Sequence, residues 1–320
     1  LKTWAPVKFL SDFWYRITHS KEVAFDLACQ MVGRGEYDEA IRRFKLVVWR
    51  QPNHAPAWYN LGICYLAKGE SASAVDALRR SLELDGRNES ARFLLFGIED
   101  GKHANGYEPH TTPMELVKSQ FTALAQDYER IELGERGYVG HQQMYEAVKA
   151  LLPQSHQVDA LLDLGCGTGL CGALLAPYTR YLVGVDVTAA MLALARAKRD
   201  DAGTELYHEL VRADLRDYML HLQAPHYALI VCANVLPIVG GLAAVMDGVK
   251  RALLPGGSFV FSTFETEGNY YRLLPQVRVF AHSRTYIEEQ AKRAGLTVKA
   301  FRTVPLYGDE PALMVLVQHA

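Results

Sequence analysis

Apolar residues change their rhythm once along this chain. Through the first hundred residues they recur at helical spacing; beyond residue 157, continuous Val/Ile/Leu runs alternate with helical stretches. Shifted by 34 residues, the first part meets itself. Ala24, Leu27, Ala28, Met31, Gly35, Ala40, Phe44, Val47 and Pro52 align with Trp58, Leu61, Gly62, Tyr65, Gly69, Ala74, Leu78, Ser81 and Gly86. Each copy, 21–54 and 55–88, predicts a pair of amphipathic helices. Ala28, Gly62, Ala40 and Ala74 supply small residues where paired helices must approach closely. A partial third copy starts at residue 89, with Arg92, Leu95, Phe96 and Glu99 in register. It then fails, because Phe96 takes the small position and no second helix is predicted. So short a stack needs another surface to cover its core. The candidates are Val7, Leu10, Phe13, Trp14 and Ile17 at helical spacing, the second domain, or a second subunit.

"AWYNLGICYLAKG", with Trp58, Leu61, Gly62 and Tyr65, resembles the tetratricopeptide repeat. That resemblance implies a protein-binding groove or self-association; a plain spacer is the alternative. "GKHANGYEPHTTP" (101–113) holds an Asn-Gly and two prolines and reads as a linker. The expected division is an all-α repeat domain over 1–105 and a second domain over 106–320.

The second rhythm predicts strands at 158–164 ("VDALLDL"), 181–187 ("YLVGVDV"), 206–214 ("LYHELVRAD"), 227–236 ("YALIVCANVL") and 258–264 ("SFVFSTF"). Helices fall between them: "LCGALLA", then 189–200 with Thr188 placed to cap it, then "LAAVMDGVKRAL". "SRTYIEEQAKRAG" follows the fifth strand, with Gly295 at its C-terminal end. "LTVKAFRTV" and "ALMVLVQ" read as a closing hairpin. The expectation is an α/β fold: a Rossmann-like, mostly parallel, seven-stranded sheet with an antiparallel edge strand, covered by helices on both faces.

The first strand runs into "LLDLGCGTGL", and ligands in such sheets bind beyond the carboxyl ends of the strands. A phosphate loop would need Gly-Lys-Ser/Thr after the turn; the chain has Gly169-Leu170-Cys171. A dinucleotide loop would place a small residue where Leu170 stands. Asp163, at the strand end, would oppose a pyrophosphate by about 1–4 kcal/mol. The same carboxylate favours a cation. S-adenosylmethionine has the right sign: no phosphate, a sulfonium and an ammonium. Gly165, Gly167 and Gly169 let the backbone approach its amino-acid part, with Cys166 and Thr168 between them. Asp186 ends the second strand, where it can accept from ribose hydroxyls, and Asp214 ends the third, where it can accept from an adenine amino group.

Composition is ordinary for a soluble globular protein: 49% of residues are hydrophobic and 22% charged, with a net charge of −2. The absence of a basic excess argues against nucleic acid as partner, and no apolar run is long enough to span a membrane. No secretory leader opens the residues given, which start at Leu1 rather than Met, and a cytoplasmic protein is expected. Cys29, Cys64, Cys166, Cys171 and Cys232 form no CxxC pair, and no His cluster has metal-ligand spacing, so reduced thiols and no metal are expected. Cys166 as a nucleophile is a sharper but less favoured reading.

"LLDLGCGTG", "VGVD", "RADL", "YALIVCANVL" and "LLPGG" together resemble the class I S-adenosylmethionine-dependent methyltransferases. The layout with leading repeats is similar to predicted bacterial methyltransferases that carry tetratricopeptide repeats. The resemblance implies a cofactor site extending to Val187, Met191, Leu215, Asn234 and Val235. It also implies a cover over the cofactor from helices in 113–152, with Phe121 and Tyr128. Two departures stand out: Ala228 replaces a common Asp, and "CANVLPIVGG" replaces an acidic pair. Methyl transfer from a sulfonium needs alignment, exclusion of water and, for some acceptors, a base. His282 is the candidate base; Tyr138, His141, Pro237, Tyr270, Tyr271, Arg272 and Tyr286 are candidates to shape an acceptor pocket. Asn234 is followed by Val-Leu-Pro rather than the Pro-Pro-aromatic turn with which related enzymes grip planar exocyclic amines, so the resemblance disfavours such acceptors. The acceptor is then a small molecule, a protein, or a small group on a protein carrier. A scaffold without activity is the competing reading.

Overall fold

The computed structural model describes residues 20–99, 107–152, 157–274 and 278–319. The candidate helix over 7–17 lies outside the described residues. Contacts group the chain into two units, Leu1–Tyr107 and Glu108–Ala320.

In the first unit, α1 (Ser20–Gly33) pairs with α2 (Tyr37–Arg50), and α3 (Ala55–Ala67) with α4 (Ser71–Leu84). α5 (Glu89–Ile98) packs on α4. The 34-residue period is therefore a helix-pair period. Its small positions do what close packing requires: Ala28, Ala40 and Ala74 are fully buried, and a Cβ at Gly62 would lie 2.7 Å from Leu78 Cγ. Phe44, Leu61 and Cys64 fill the space between the pairs. His54 and Asn88 cap α3 and α5, accepting from the backbone N–H groups of Ala57 and Ala91.

The second unit is a twisted sheet with helices on both faces. Its parallel strands are β1 (Val158–Leu164), β2 (Thr179–Asp186), β3 (Glu209–Arg212), β4 (Tyr227–Cys232) and β5 (Leu253–Glu265). β8 (Leu296–Tyr307) and β9 (Glu310–His319) form the predicted hairpin. The antiparallel strand is β9, and it pairs with β5 on one side and β8 on the other, so β8 rather than β9 takes the edge. The main order is thus β3-β2-β1-β4-β5-β9-β8. A further hairpin, β6 (Tyr271–Leu274) and β7 (Val279–His282), attaches to the last residues of β5. The strand pattern did not reveal it, because each of its strands has only four residues and it carries Tyr, Arg and His.

The crossover helices are α8 (Leu170–Leu175), α9 (Ala189–Ala197), α10 (Leu215–Leu220) and α11 (Ala243–Ala252); α12 (Arg284–Arg293) leads into β8. Ahead of the sheet come α6 (Met114–Leu124), a π-helical turn over Arg130–Glu135, and α7 (Gly140–Leu151). The core lies between β1, β2, β4 and β5 and their covering helices, and includes Leu161, Leu182 and Leu229. Gly295 ends α12 with φ of 73°, the left-handed conformation a helix stop needs. Thr188 sits at the N-cap of α9 without making the expected cap: its hydroxyl donates to Asp186 instead.

Candidate active site

The turn after β1 is built by glycine. Gly165, Gly167 and Gly169 have φ of 70°, 55° and 86°, which L side chains rarely adopt. The space around each differs. A Cβ at Gly165 would meet Val235, and one at Gly169 would meet Tyr207 and Ala195. A Cβ at Gly167 would meet nothing within 4 Å, so the mid-loop backbone faces open space. The loop is anchored at both sides: the N–H groups of Gly165 and Cys166 donate to the Val185 carbonyl, and the Gly167 N–H donates to Asp186 Oδ2 at 3.0 Å.

The three strand-end acids have three different fates. Asp186 stays half-buried at the loop; besides Gly167 it accepts from Thr188 N–H and Oγ1, both at 2.8 Å. A carboxylate has about four lone-pair positions, so it retains capacity towards a ligand. Asp163, expected to compensate positive charge, lies under the turn rather than at its surface. It is 1% exposed, lies beneath the loop, and accepts from the Tyr207 hydroxyl at 2.7 Å. Burial pushes its pKa up to about 7, against the pull of the Tyr207 hydrogen bond. Tyr207 itself fills the room left by two glycines: a Cβ at Gly172 or Gly184 would strike its ring. Asp214 is engaged by its own neighbours at the end of the third strand. It caps α10 and forms a two-toothed ion pair with Arg216, Nε at 3.0 Å and Nη2 at 2.7 Å. Burial alone would raise its pKa, but the Arg216 hydrogen bonds hold it below the ordinary range.

Around the loop, Met191 is buried in α9, Val187 and Leu215 are half-buried at the tips of β2 and β3, and Thr168 is buried. The Thr168 hydroxyl donates to Glu129 Oε1 at 2.6 Å, and Lys198 pairs with the same oxygen at 2.8 Å. This clasp ties the segment 113–152 to the glycine loop. On that segment Phe121 and Tyr128 pack with ring centres 6.4 Å apart. Burial raises the Tyr128 pKa, and the charges of Glu132 and Asp186 add to it. The Cys166 thiol is buried and its pKa driven far up by that burial, which is the opposite of an activated nucleophile. All five cysteines are free.

His282 is not placed as a base would be. It is fully buried; Nδ1 bonds Thr263 Oγ1 at 2.6 Å and Nε2 faces the carbonyls of Val239 (2.8 Å) and Gly240 (3.1 Å). Burial takes its pKa down to about 4, and both nitrogens are engaged. Tyr270, Tyr271 and Tyr286 do not line an open pocket either. Their ring centres lie 4.3–5.4 Å apart, so they fill the space between themselves. The Tyr286 hydroxyl accepts from Leu242 N–H, and that of Tyr271 bonds His110. Arg272 is exposed, and Pro237 is buried in a short helical turn over Leu236–Ile238.

Tyr138 and His141 fare differently. Tyr138 packs against Tyr307 at 5.2 Å and His141 at 5.6 Å, and its backbone bridges to Tyr307. His141 Nδ1 is buried with no hydrogen-bond partner among the described residues. Tyr307, which the sequence did not single out, accepts from Asn234 Nδ2 at 2.7 Å. Asn234 has φ of 55°, unusual for a non-glycine residue, at the tip of β4. Glu132 and Arg136 complete this corner: Arg136 donates to Glu132 Oε1 at 2.8 Å and lies 4.7 Å over the Tyr307 ring. A Glu followed by an Arg four residues later was visible in the sequence; the fold partner that gives it meaning, Tyr307 on β8, was not.

Among the described residues no group of three or more His, Cys, Asp or Glu side chains has a metal-holding arrangement, and no helix is long and apolar enough to cross a membrane.

Comparison with known proteins agrees with this architecture. Residues 161–257 match a family model described as a methyltransferase domain, and 55–88 match one described as a tetratricopeptide repeat. The ubiquinone biosynthesis O-methyltransferase of Hydrogenovibrio crunogenus is 28% identical over 120 residues, 38% of this chain and 48% of that protein. The malonyl-[acyl-carrier protein] O-methyltransferase of Brevibacillus brevis is 26% identical over 182 residues, 56% of this chain and 62% of that protein. The chain thus spans about half the length of the curated relatives it matches. Among solved structures, magnesium protoporphyrin IX methyltransferase from Synechocystis with bound S-adenosylmethionine superimposes with a TM-score of 0.52 at 18% identity, over 68% of this chain and 100% of that one. A Burkholderia thailandensis 1,6-didemethyltoxoflavin-N1-methyltransferase gives 0.51 at 18% identity, over 67% and 93%. These likenesses establish the fold.

Proposed function

With residues 161–257 identified as a methyltransferase domain and residues 55–88 as a tetratricopeptide repeat, we propose that this chain transfers a methyl group from S-adenosylmethionine to the oxygen of a small-molecule acceptor. The observation that carries the reading is the open space over Gly167, at a loop whose backbone is held by Asp186 at the carboxyl end of β1. A ligand seated there meets peptide groups rather than side chains, with an acid and the Tyr128 cover beside it. Bound in that turn, the cofactor would supply an electrophilic methyl group. Gly165, Gly167, Asp186 and the segment carrying Phe121 and Tyr128 would hold and screen it from water. The oxygen as acceptor atom rests on the two relatives, both O-methyltransferases by name.

Asp163 and Tyr207 have a supporting part: they floor the loop, and their hydrogen bond fixes its depth. His282 has no part in the chemistry. A carboxylate acceptor would need no base, which suits a site where that histidine is sealed. The repeats are proposed to hold a protein, either a partner or a second copy.

Calorimetry with S-adenosylmethionine tests the reading, with Gly167→Val as the control. The valine Cβ enters the space assigned to the ligand at a φ of 55° that valine resists. Micromolar binding by the wild type and a loss of at least about tenfold in the variant are expected, the factor that ~1.4 kcal/mol represents. A wild type that does not bind at millimolar cofactor leaves the scaffold reading in its place.

A further inference from the structure

The segment ahead of the sheet crosses the face on which the glycine turn opens. Its start is fixed beside β4. The Thr112 N–H donates to the Ile238 carbonyl at 2.9 Å, Thr111 bridges to Val239, and the His110 carbonyl accepts from the N–H groups of Gly240 and Gly241. Its end is fixed to β8: Tyr138 bridges to Tyr307, and the Val139 N–H donates to the Leu306 carbonyl at 2.9 Å. Between these anchors, α6 and the 3₁₀ turn that follows it, Ala125–Asp127, pack on α9 beyond β2. The path from β4 to α9 and back to β8 therefore spans the carboxyl end of β1, where the turn lies.

The middle of this segment is held differently from its ends. Of the residues of α6 only Val117 is buried. The tie to the turn is made by one side chain: Glu129 Oε1 accepts from Thr168 Oγ1 at 2.6 Å and pairs with Lys198 Nζ at 2.8 Å. Thr168 is buried and directly follows Gly167, whose backbone faces open space; Lys198 stands at the C-terminal cap of α9. Glu129 and Lys198 keep 40% and 25% of their side-chain surface exposed, so water can replace this contact as it cannot replace the buried anchors. Burial alone would raise the Glu129 pKa, but the hydrogen bonds from Lys198 and Thr168 hold it below the ordinary range. Two irregular turns flank the site, the 3₁₀ turn before it and the π-helical turn over Arg130–Glu135 after it, and such breaks are where a helical backbone bends.

We propose that Glu129 is the latch of a cover that opens to let the cofactor enter and leave the turn, and that it sets the rate of this exchange without touching the cofactor. The inference rests on the cofactor reading above and adds to it a residue that controls access. A ligand over Gly167 lies beneath the segment, so the bonds to Thr168 and Lys198 must break for it to pass, while both anchors stay in place. Neither bond uses an atom of the ligand, and the latch forms over an empty or a filled turn alike. It therefore slows entry and exit by the same factor and drops out of the affinity.

Surface plasmon resonance tests this, with S-adenosylhomocysteine passed over the immobilised full chain as wild type, Glu129→Ala, Glu129→Gln and Lys198→Met. In Glu129→Ala the association and dissociation rate constants are both expected to rise about tenfold, with Kd held within about twofold. Lys198→Met keeps the Thr168 bond and should raise both rates by a smaller factor, and Glu129→Gln should do the same by losing only the charge. Faster dissociation with unchanged association overturns the proposal, since Glu129 would then belong to the binding site. Wild-type rates in Glu129→Ala overturn it as well. Should Glu129→Ala fail to fold, Lys198→Met decides: both rates raised supports the latch, and wild-type rates remove it. A wild type that does not bind S-adenosylhomocysteine overturns the cofactor reading itself.

Discussion

At the scale of single residues, the site shows that a side chain's role depends on what reaches it. Asp163, Asp214 and His282 were singled out for being acids at strand tips or an imidazole near the fifth strand. Tyr207, Arg216 and Thr263 decide what they do. For Asp214 the signal was within reach, because Arg216 stands two residues on at the start of a helix. For Asp163 it was not, since Tyr207 is 44 positions away. The buried states carry pH consequences. Asp163 has a folded pKa raised to about 7, so its neutral form suits the fold. Its contribution to stability is full below the ordinary carboxylate range near 4 and is lost as pH rises through about 7. Asp163→Asn removes that loss. The stability difference, variant minus wild type, should therefore grow from pH 4 to pH 8 by on the order of 2–4 kcal/mol in urea titrations. A difference independent of pH would show that Asp163 is not buried as an acid. His282 has the opposite sign: its folded pKa is depressed to about 4, so its stability is present above its ordinary value of 6.5 and lost as pH falls through about 4. His282→Ala leaves Thr263 and two carbonyls unpaired beside a cavity. It should cost ~2–4 kcal/mol at pH 7.5 while leaving cofactor affinity of the folded protein unchanged, measured by denaturant titration and calorimetry. A variant of wild-type stability with lost turnover would restore the histidine to the chemistry.

At the scale of elements, periodicity carried most of the information, because it is local. The helix pairs of the repeat follow from a shift that any residue-by-residue comparison finds, and the small residues at Ala28, Gly62, Ala40 and Ala74 mark helix contacts directly. The parallel strands are continuous apolar runs because both faces are covered. Three features escaped the pattern for stated reasons. The hairpin β6–β7 is too short and too polar for a strand signature. The place of β9 between β5 and β8 is a matter of tertiary pairing, and either strand of the hairpin could have taken the edge from sequence alone. The π-helical turn over Arg130–Glu135 depends on where Arg136 finds its carbonyl, which no propensity scale encodes. That last element also shows how the cover is fixed. Glu129 clasps Thr168 and Lys198 on one side, and Tyr138 bridges to Tyr307 on the other, so the segment is tied to the glycine loop and to β8 at once.

At the scale of the whole molecule, the chain joins two kinds of cohesion. The first unit is a stack in which each helix pair touches its neighbours, and the second is a sheet whose central strands are held from both sides. Their responses to a ligand at the glycine turn should differ. S-adenosylhomocysteine binds only the folded second unit in this reading, so it adds RT ln(1 + [L]/Kd) to that unit's stability, about 2.7 kcal/mol at a hundred times Kd. For a sheet domain of this size that amounts to a rise of ~5–11 °C in midpoint, at about 2–4 °C per kcal/mol. Differential scanning calorimetry of the full chain is expected to show a transition that moves by this amount with the ligand and a second, from the repeat, that does not. Emission from Trp49 and Trp58 assigns that second transition, since among the described residues every tryptophan belongs to the repeat. If the tryptophan transition moves in step with the other, the two units unfold as one cooperative body, and ligand binding at the turn is then felt by whatever the repeats hold. If it stays fixed, the repeats act as an independent module, and recruitment must work by proximity alone.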